Sequence, residues 1–261
     1  MAARREGSPP LLVGLAALGV AFLAAPLIAL VVRAPWGSAL SALDETGSWT
    51  ALRLSIEVSL LAAAASVLVG VPLAYVLARG EWPGRSVVRA LVLLPLVLPP
   101  VVGGIALLAA LGRSGIVGRF LYDAGIQLTF TTGGAVVATT FVSIPLVVLA
   151  VEAGLRSVDV RLEQAASALG ASRGFAFRNV LVPLLRPQIV AGAVLAWARA
   201  LGEFGATITF AGNLAGRTQT LPLAVYQARQ VDPEGAVMVS LLLVVLSLVV
   251  LVAMRRQLFP R

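Results

Sequence analysis

The 261-residue sequence contains no cysteine, no histidine and no lysine; all 20 of its basic residues are arginine. Without cysteine there is no disulfide, no thiolate metal site and no cysteine nucleophile. Without histidine there is no Ser–His dyad, no HExxH zinc site and no haem histidine. Without lysine the phosphate-binding loop GxxxxGK[ST] does not exist, so the chain does not hydrolyse ATP by that route. Acid is also scarce, and the four aspartates, Asp44, Asp123, Asp159 and Asp232, all lie outside the apolar runs. That placement argues against an intramembrane aspartyl protease. Enzyme chemistry and a resident metal are nearly excluded before any motif is read.

What is abundant is apolar surface. Residues of the AVILMFWYC class make up 59% of the chain and charged residues only 12%, about half the usual share. This excludes an ordinary soluble domain and a disordered chain alike. The net charge of +8 would suit nucleic acid, but no long basic run exists, so we read it as arginine-rich loops on one side of a bilayer. No nucleic-acid partner is expected.

Six apolar stretches are long enough to cross a membrane: residues 11–32, 55–78, 87–111, 131–155, 188–212 and 236–254. The fold class expected is all-α and polytopic, with one transmembrane domain over 1–261. Arg4 and Arg5 precede the first stretch, but its apolar length of 22 residues exceeds the h-region of a signal peptide, so it is read as a retained span. With the N-terminus inside, 13 arginines fall on the inner side and 6 outside, with Arg199 within the fifth span. The positive-inside rule then puts both termini in the cytoplasm. The inner connection 156–187 is the longest, which makes it the place for an inner partner to dock.

Three segments carry information beyond length. The third span holds Pro95, Pro99, Pro100, Gly103 and Gly104 within ten residues. Such backbone at membrane depth must lie against protein or a water-filled cavity, so the span is either a kinked helix or a helix lining a pathway. In the inner loop, Leu162, Ala165, Ala166 and Leu169 share one helix face, Gly170 suits the helix end, and a second short helix should stop before Pro183 and Pro187. A compact knob on the inner face and an amphipathic helix lying on lipid are both open. In the fifth span Arg199 and Glu203 are spaced to pair on one helix, and Ala198, Gly202 and Ala206 to form a small-residue face. The pair is either a neutralised structural contact or part of a gate. Hydroxyl and amide groups at Thr207, Thr209 and Asn213, and at Thr131, Thr132, Thr139, Thr140 and Ser143, are candidates for a polar route; the alternative is bonding back to helix carbonyls. Glu57, flanked by Ser55 and Ser59, is given no role, and the outer loop 213–235 is either a partner contact or solvated charge.

Residues 159–186, DVRLEQAASALGASRGFAFRNVLVPLLR, resemble the EAA loop of ABC-importer permeases, written EAA-x3-G-x9-I-x-L-P. Gln164-Ala165-Ala166 takes the EAA place, then Gly170, Val180, Val182 and Pro183 follow at the family spacing; Gln164 replaces the first Glu, with Glu163 adjacent, and the two valines replace Ile and Leu. The fifth-span stretch WARALGEFGATITFAGNLAGRTQTLP, residues 197–222, resembles the molybdate/tungstate branch of the binding-protein-dependent type I permeases. The resemblance covers most of the chain from about residue 50 and implies a type I ABC-importer core. It implies a homodimer with two cytoplasmic ATPases, which bind the ATP and Mg²⁺, and an extracytoplasmic oxyanion-binding protein. No cofactor is then bound by this chain, and the setting is the inner membrane of a prokaryote. The coupling loop would comprise Leu162, Glu163, Gln164, Ala165, Ala166, Leu169, Gly170 and Pro183. The pathway or gate would draw on Arg199, Gly202, Glu203, Gly205, Thr207, Thr209 and Asn213. Sulfate or thiosulfate import is the nearest alternative. A gradient-driven secondary transporter is the alternative from another class, though it predicts an internal repeat that the sequence does not display.

Overall fold

A computed structural model describes residues 9–38, 43–44 and 47–254, and every regular element among them is helical. Helix α1, Pro10–Val32, buries none of its residues; its Leu30, with Ala34 just beyond its end, packs on Met238 and Leu241 of the last helix. Helix α2, Ser48–Arg79, starts seven residues before the apolar stretch expected at 55, because Ser48 and Ala51 are already buried. Helix α6, Thr132–Ser157, is the other long buried helix; Thr131 caps it by accepting from the Gly134 amide at 3.0 Å.

These two helices form the scaffold. Gly70 of α2 lies so close to α6 that a Cβ there would stand 3.0 Å from Val147 Cβ. Ala74, Leu77, Val147, Val148, Val151 and Leu155 fill the seam between them, joined by Leu181, Leu185 and Ala196 from the following segments. Helix α9, Arg186–Leu201, completes the group, with Gly192 resting on Val147 and Ala150. Trp197 Nε1 donates to Ser59 Oγ at 2.9 Å, tying α9 to α2.

The expected third span is not one helix. Helix α3, Arg85–Leu93, tightens into a 3₁₀ turn at Leu94–Leu96 and is followed by α4, Pro100–Leu111, at a bend of 118°. The cause is the Pro99–Pro100 pair: the ring of Pro100 drives Pro99 out of the helical region, to ψ 130°. The broken pair still carries the chain across. Helix α2 ends beside the loop at 159–163, whereas α6 begins at the far end, where Thr132 Oγ1 donates to the Arg217 carbonyl at 2.8 Å. A short helix α5, Gly118–Asp123, lies between α4 and α6.

The fifth span also departs from expectation. Helix α9 stops at Leu201, and after a break at 202–204 a six-residue helix α10, Gly205–Phe210, continues the path. Helix α11, Leu221–Val231, starts where the Leu221 amide donates to Ser55 Oγ at 2.7 Å, and α12, Pro233–Ala253, packs along it. Between α6 and α9 run α7, Arg161–Ala168, and α8, Arg173–Leu184, the latter opened by a π turn over Phe177–Leu181. Among the described residues, four helices are long and apolar enough to cross a membrane, and up to six spans result when each bent pair, α3 with α4 at 118° and α8 with α9 at 74°, is taken as one.

Candidate transport gate and coupling knob

The loop 159–186 folds as the helix–turn–helix its spacing suggests. Asp159 Oδ1 accepts from the Arg161 amide at 2.9 Å to start α7. The helix ends in a Schellman arrangement: the Gly170 amide donates to the Ser167 carbonyl, the Ala171 amide to the Ala166 carbonyl, and Gly170 has φ +85°. Ser172 Oγ then caps α8 by accepting from the Phe175 amide at 3.2 Å. Helix α8 does not stop before Pro183, contrary to expectation. The π turn ahead of it places Pro183 in the first turn of a fresh α segment, where a missing donor costs nothing, and Pro187 plays the same part at the start of α9.

Two faces of α7 have opposite fates. Glu163 turns inward: its Oε1 accepts from Arg79 Nε at 2.8 Å, and its Oε2 from the Tyr75 hydroxyl at 3.4 Å. Arg79 also donates to the Val158 carbonyl, so the last turn of α2 clamps both ends of the approach to α7. Tyr75 meets Phe177 edge-on at 5.0 Å, which holds α8 to the same post. The apolar face turns outward: Leu169 is 90% exposed, Leu162 46% and, next to them, Phe175 58%, while Gln164 and Ala165 are exposed too. A clamped helix with an uncovered apolar face is a docking knob in shape.

The two broken spans meet break to break. A Cβ on Gly205 would fall 2.7 Å from Pro100 Cβ, and one on Gly104 would fall 2.6 Å from Thr209 Cβ and 3.0 Å from the Ala206 carbonyl. Only glycine admits this approach of α4 to α10. Glu203 holds the second break. Its Oε1 accepts from the Ala206 amide at 2.8 Å, capping α10, while Oε2 lies 2.7 Å from Arg199 Nη1 in the last turn of α9. The pairing expected of Arg199 and Glu203 is present, but Glu203 sits beyond the end of α9, so the two do not share a helix. For the same reason Ala198, Gly202 and Ala206 are not one small-residue face; the backbone turns between them at Gly202. Phe204, in the break, meets Tyr226 of α11 with ring centroids 5.2 Å apart and planes tilted by 53°.

The hydroxyls are largely spent on backbone. Thr139, Thr140 and Thr209 donate to carbonyls four residues earlier, and Thr131 to Leu128. Thr207 is buried with its oxygen 3.4 Å from that of Thr139. Ser143 is fully buried. Asn213 stands apart from these, at the edge of a cavity beside α11. Glu57 is exposed on α2, while its neighbours Ser55 and Ser59 point the other way and tie α11 and α9 to α2.

One buried charge escaped the sequence reading. Glu152, only 2% exposed on α6, lies 2.8 Å from Arg89 Nη2 of α3. The signal was there: a lone carboxylate inside the fourth apolar run demands a partner. Its partner came from a different span, which spacing does not reveal. Among the described residues, no group of three or more acidic residues could hold a metal ion.

Comparison with known proteins agrees with this geometry. Residues 66–261 match the family described as binding-protein-dependent transport system inner membrane component. The molybdenum transport system permease protein ModB of Mycobacterium tuberculosis is 49% identical over 234 residues, covering 89% of this chain and 88% of the relative. The protein of the same name in Escherichia coli K12 is 45% identical over 204 residues, covering 77% and 89%. The sulfate transport system permease protein CysT of Salmonella typhimurium is 34% identical over 230 residues, covering 87% and 83%. Among solved structures, a bacterial alginate ABC transporter in complex with an alginate-bound periplasmic protein superimposes with a TM-score of 0.75 at 17% identity, covering 95% of this chain and 93% of that one, which shows a shared fold. The chain is a membrane-embedded transport permease and belongs to the inner membrane component family of binding-protein-dependent transport systems.

Proposed function

We propose that this chain is the membrane-spanning subunit of an ATP-binding-cassette importer that carries molybdate or tungstate into a prokaryotic cytoplasm. The observation that carries the reading is the clamped knob at α7, with its outward Leu162, Ala165 and Leu169, in a chain whose relatives at 45–49% identity are named molybdenum permeases. Two copies would pair, with two ATPases on the knob side and a binding protein at the far end. ATP and Mg²⁺ belong to the ATPases, and this chain binds no cofactor. Both termini then lie in the cytoplasm.

In this reading, closure of the ATPases pulls on α7, and the Arg79–Glu163 clamp passes the pull to α2. The joint between α4 and α10 moves in response, and the permease alternates between openings to the two sides. Arg199, Glu203 and Gly205 are gate residues because they hold that joint, and Gly202 lies in the break beside them. Thr209 packs on Gly104 within the joint, while Thr207, beside Thr139, and Asn213, beside α11, are the remaining polar candidates for the route. A dehydrated dianion is too costly in hydrocarbon to be held in a dry site, so affinity belongs to the binding protein and this chain supplies a wet route.

The test is ATPase activity in lipid nanodiscs. The chain is assembled with its ATPase and with a binding protein loaded in turn with molybdate, tungstate or sulfate. Stimulation by molybdate or tungstate alone is expected. Stimulation by sulfate alone would move the substrate, and failure to assemble with any ATPase would overturn the coupling role of α7.

A further inference from the structure

At the far end from the knob, the loop 213–219 and helix α11 line an open cavity of about 520 Å³. Its polar wall is made of three carboxamides, Asn213, Gln219 and Gln227, and one carboxylate, Asp232; Ala224 and Ala228 line it as small residues. The loop is a built structure rather than a slack connection. Thr218, fully buried, accepts from the Leu214 amide at 2.8 Å and donates to the Gly212 carbonyl, and Gly212 and Gly216 take positive φ to close the turns. Asn213 donates to Gln227 across the cavity at 3.4 Å, while its own carbonyl oxygen is buried and has no partner. Arg229, one turn before Asp232, makes no ion pair with it among the described residues. The cavity therefore offers a carboxylate with carboxamides beside it, and no positive charge lines it.

We infer that this cavity receives a cationic side chain, a guanidinium or an ammonium, from the protein that docks on this end of the permease. The argument is charge and valence. An anion there would face Asp232, and an apolar group would strip water from that carboxylate without replacing its hydrogen bonds. A guanidinium has donors enough for the carboxylate and the carboxamide oxygens together. The site also has a mechanical outlet, because Tyr226, next to Gln227 on α11, packs in a tilted ring contact on Phe204 in the break beside Glu203. Seating a side chain in the cavity thus bears on the joint. The identity of the docking protein rests on the proposed function; the cation preference does not.

Two measurements on the full chain in nanodiscs test this. In the first, N-acetyl-arginine amide and its N-acetyl-glutamine counterpart are compared by saturation-transfer NMR. Transfer to the arginine probe that Asp232→Asn abolishes is expected; equal transfer to both probes, transfer unaffected by Asp232→Asn, or none at all overturns the inference, as does displacement of the arginine probe by molybdate in proportion to anion binding. In the second, the importer's binding protein is titrated on. Asp232→Asn should weaken docking by about tenfold or more and flatten its salt dependence. Unchanged docking overturns the inference and leaves the proposed function standing. If the wild-type chain docks no binding protein, the proposed function fails and the first measurement alone decides the cavity. Gln219→Ala, on the same wall without charge, should cost less than Asp232→Asn in both, and a cost equal to it would mean a collapsed loop rather than a lost charge.

Discussion

Helices α2 and α6 each contain a proline, Pro72 and Pro145, and each runs unbroken through the bundle. The neighbouring spans contain proline or glycine too, yet both are cut, at 97–99 and at 202–204. The difference lies in what surrounds the weak point. Pro72 and Pro145 are single, and packed helix on either side of each holds the axis. At Pro99 a second proline follows directly, and at Gly202 the next residue's side chain caps a new helix. Breaks are thus built by a local pair of residues, not by one helix-breaker. The scaffold and the joint are then built differently: α2 and α6 pack as continuous helices, while α4 and α10 meet break to break through glycines.

The comparison breaks most visibly at the tie between its halves. Arg89 of α3 neutralises Glu152 of the scaffold, and Glu152 is the more deeply buried partner. Arg89→Met leaves a buried carboxylate alone and should cost about 3–5 kcal/mol, read as a fall in the melting temperature of the detergent-solubilised chain. Glu152→Met should cost clearly less, because Arg89 is 32% exposed and reaches solvent. An equal cost would mean that the pair is not the tie. Next comes the joint itself: Gly104→Ala forces a Cβ against Thr209, and overpacking of this kind costs about 1–3 kcal/mol. The same measurement on Gly174→Ala, which has open space around it, should show no such loss. Smaller again is the clamp on the knob. Glu163→Gln keeps the shape and removes the charge opposite Arg79, for about 1 kcal/mol. Its readout is trypsin, since Arg161, Arg173 and Arg178 flank the clamp and cleavage there should quicken.

Much of this architecture is legible in the sequence, and what is missed has physical reasons. The apolar face of α7 and the stop at Gly170 follow from spacing and the need for positive φ, and both stand in the structure as expected. The proline cluster flags irregular backbone, but a bend of 118° requires knowing that Pro100 acts on Pro99 and that α10 waits to receive α4. The fifth span misleads because its hydropathy is continuous. Apolar periodicity carries on through Gly202, while the break is made by a carboxylate choosing an amide three residues ahead over its own helix. Arg89 and Glu152 lie 63 positions apart in the chain, and no local pattern connects them.

Gly202 supplies the finest test, because glycine and Glu203 are rival explanations of the same break. Gly202 has φ −91° and ψ 7°, a conformation open to any residue, and a Cβ there would meet nothing within 4 Å. If the Glu203 clamp makes the joint, Gly202→Ala changes stability by no more than about 0.5 kcal/mol and leaves transport unaltered. Glu203→Gln, by contrast, keeps an oxygen for the Ala206 amide and loses the charge opposite Arg199, so it should weaken the joint more than Gly202→Ala does. Were Gly202→Ala to abolish transport while the chain stayed folded, alanine would have let α9 run on into α10. The break would then belong to the glycine's freedom, and the carboxylate would only decorate it.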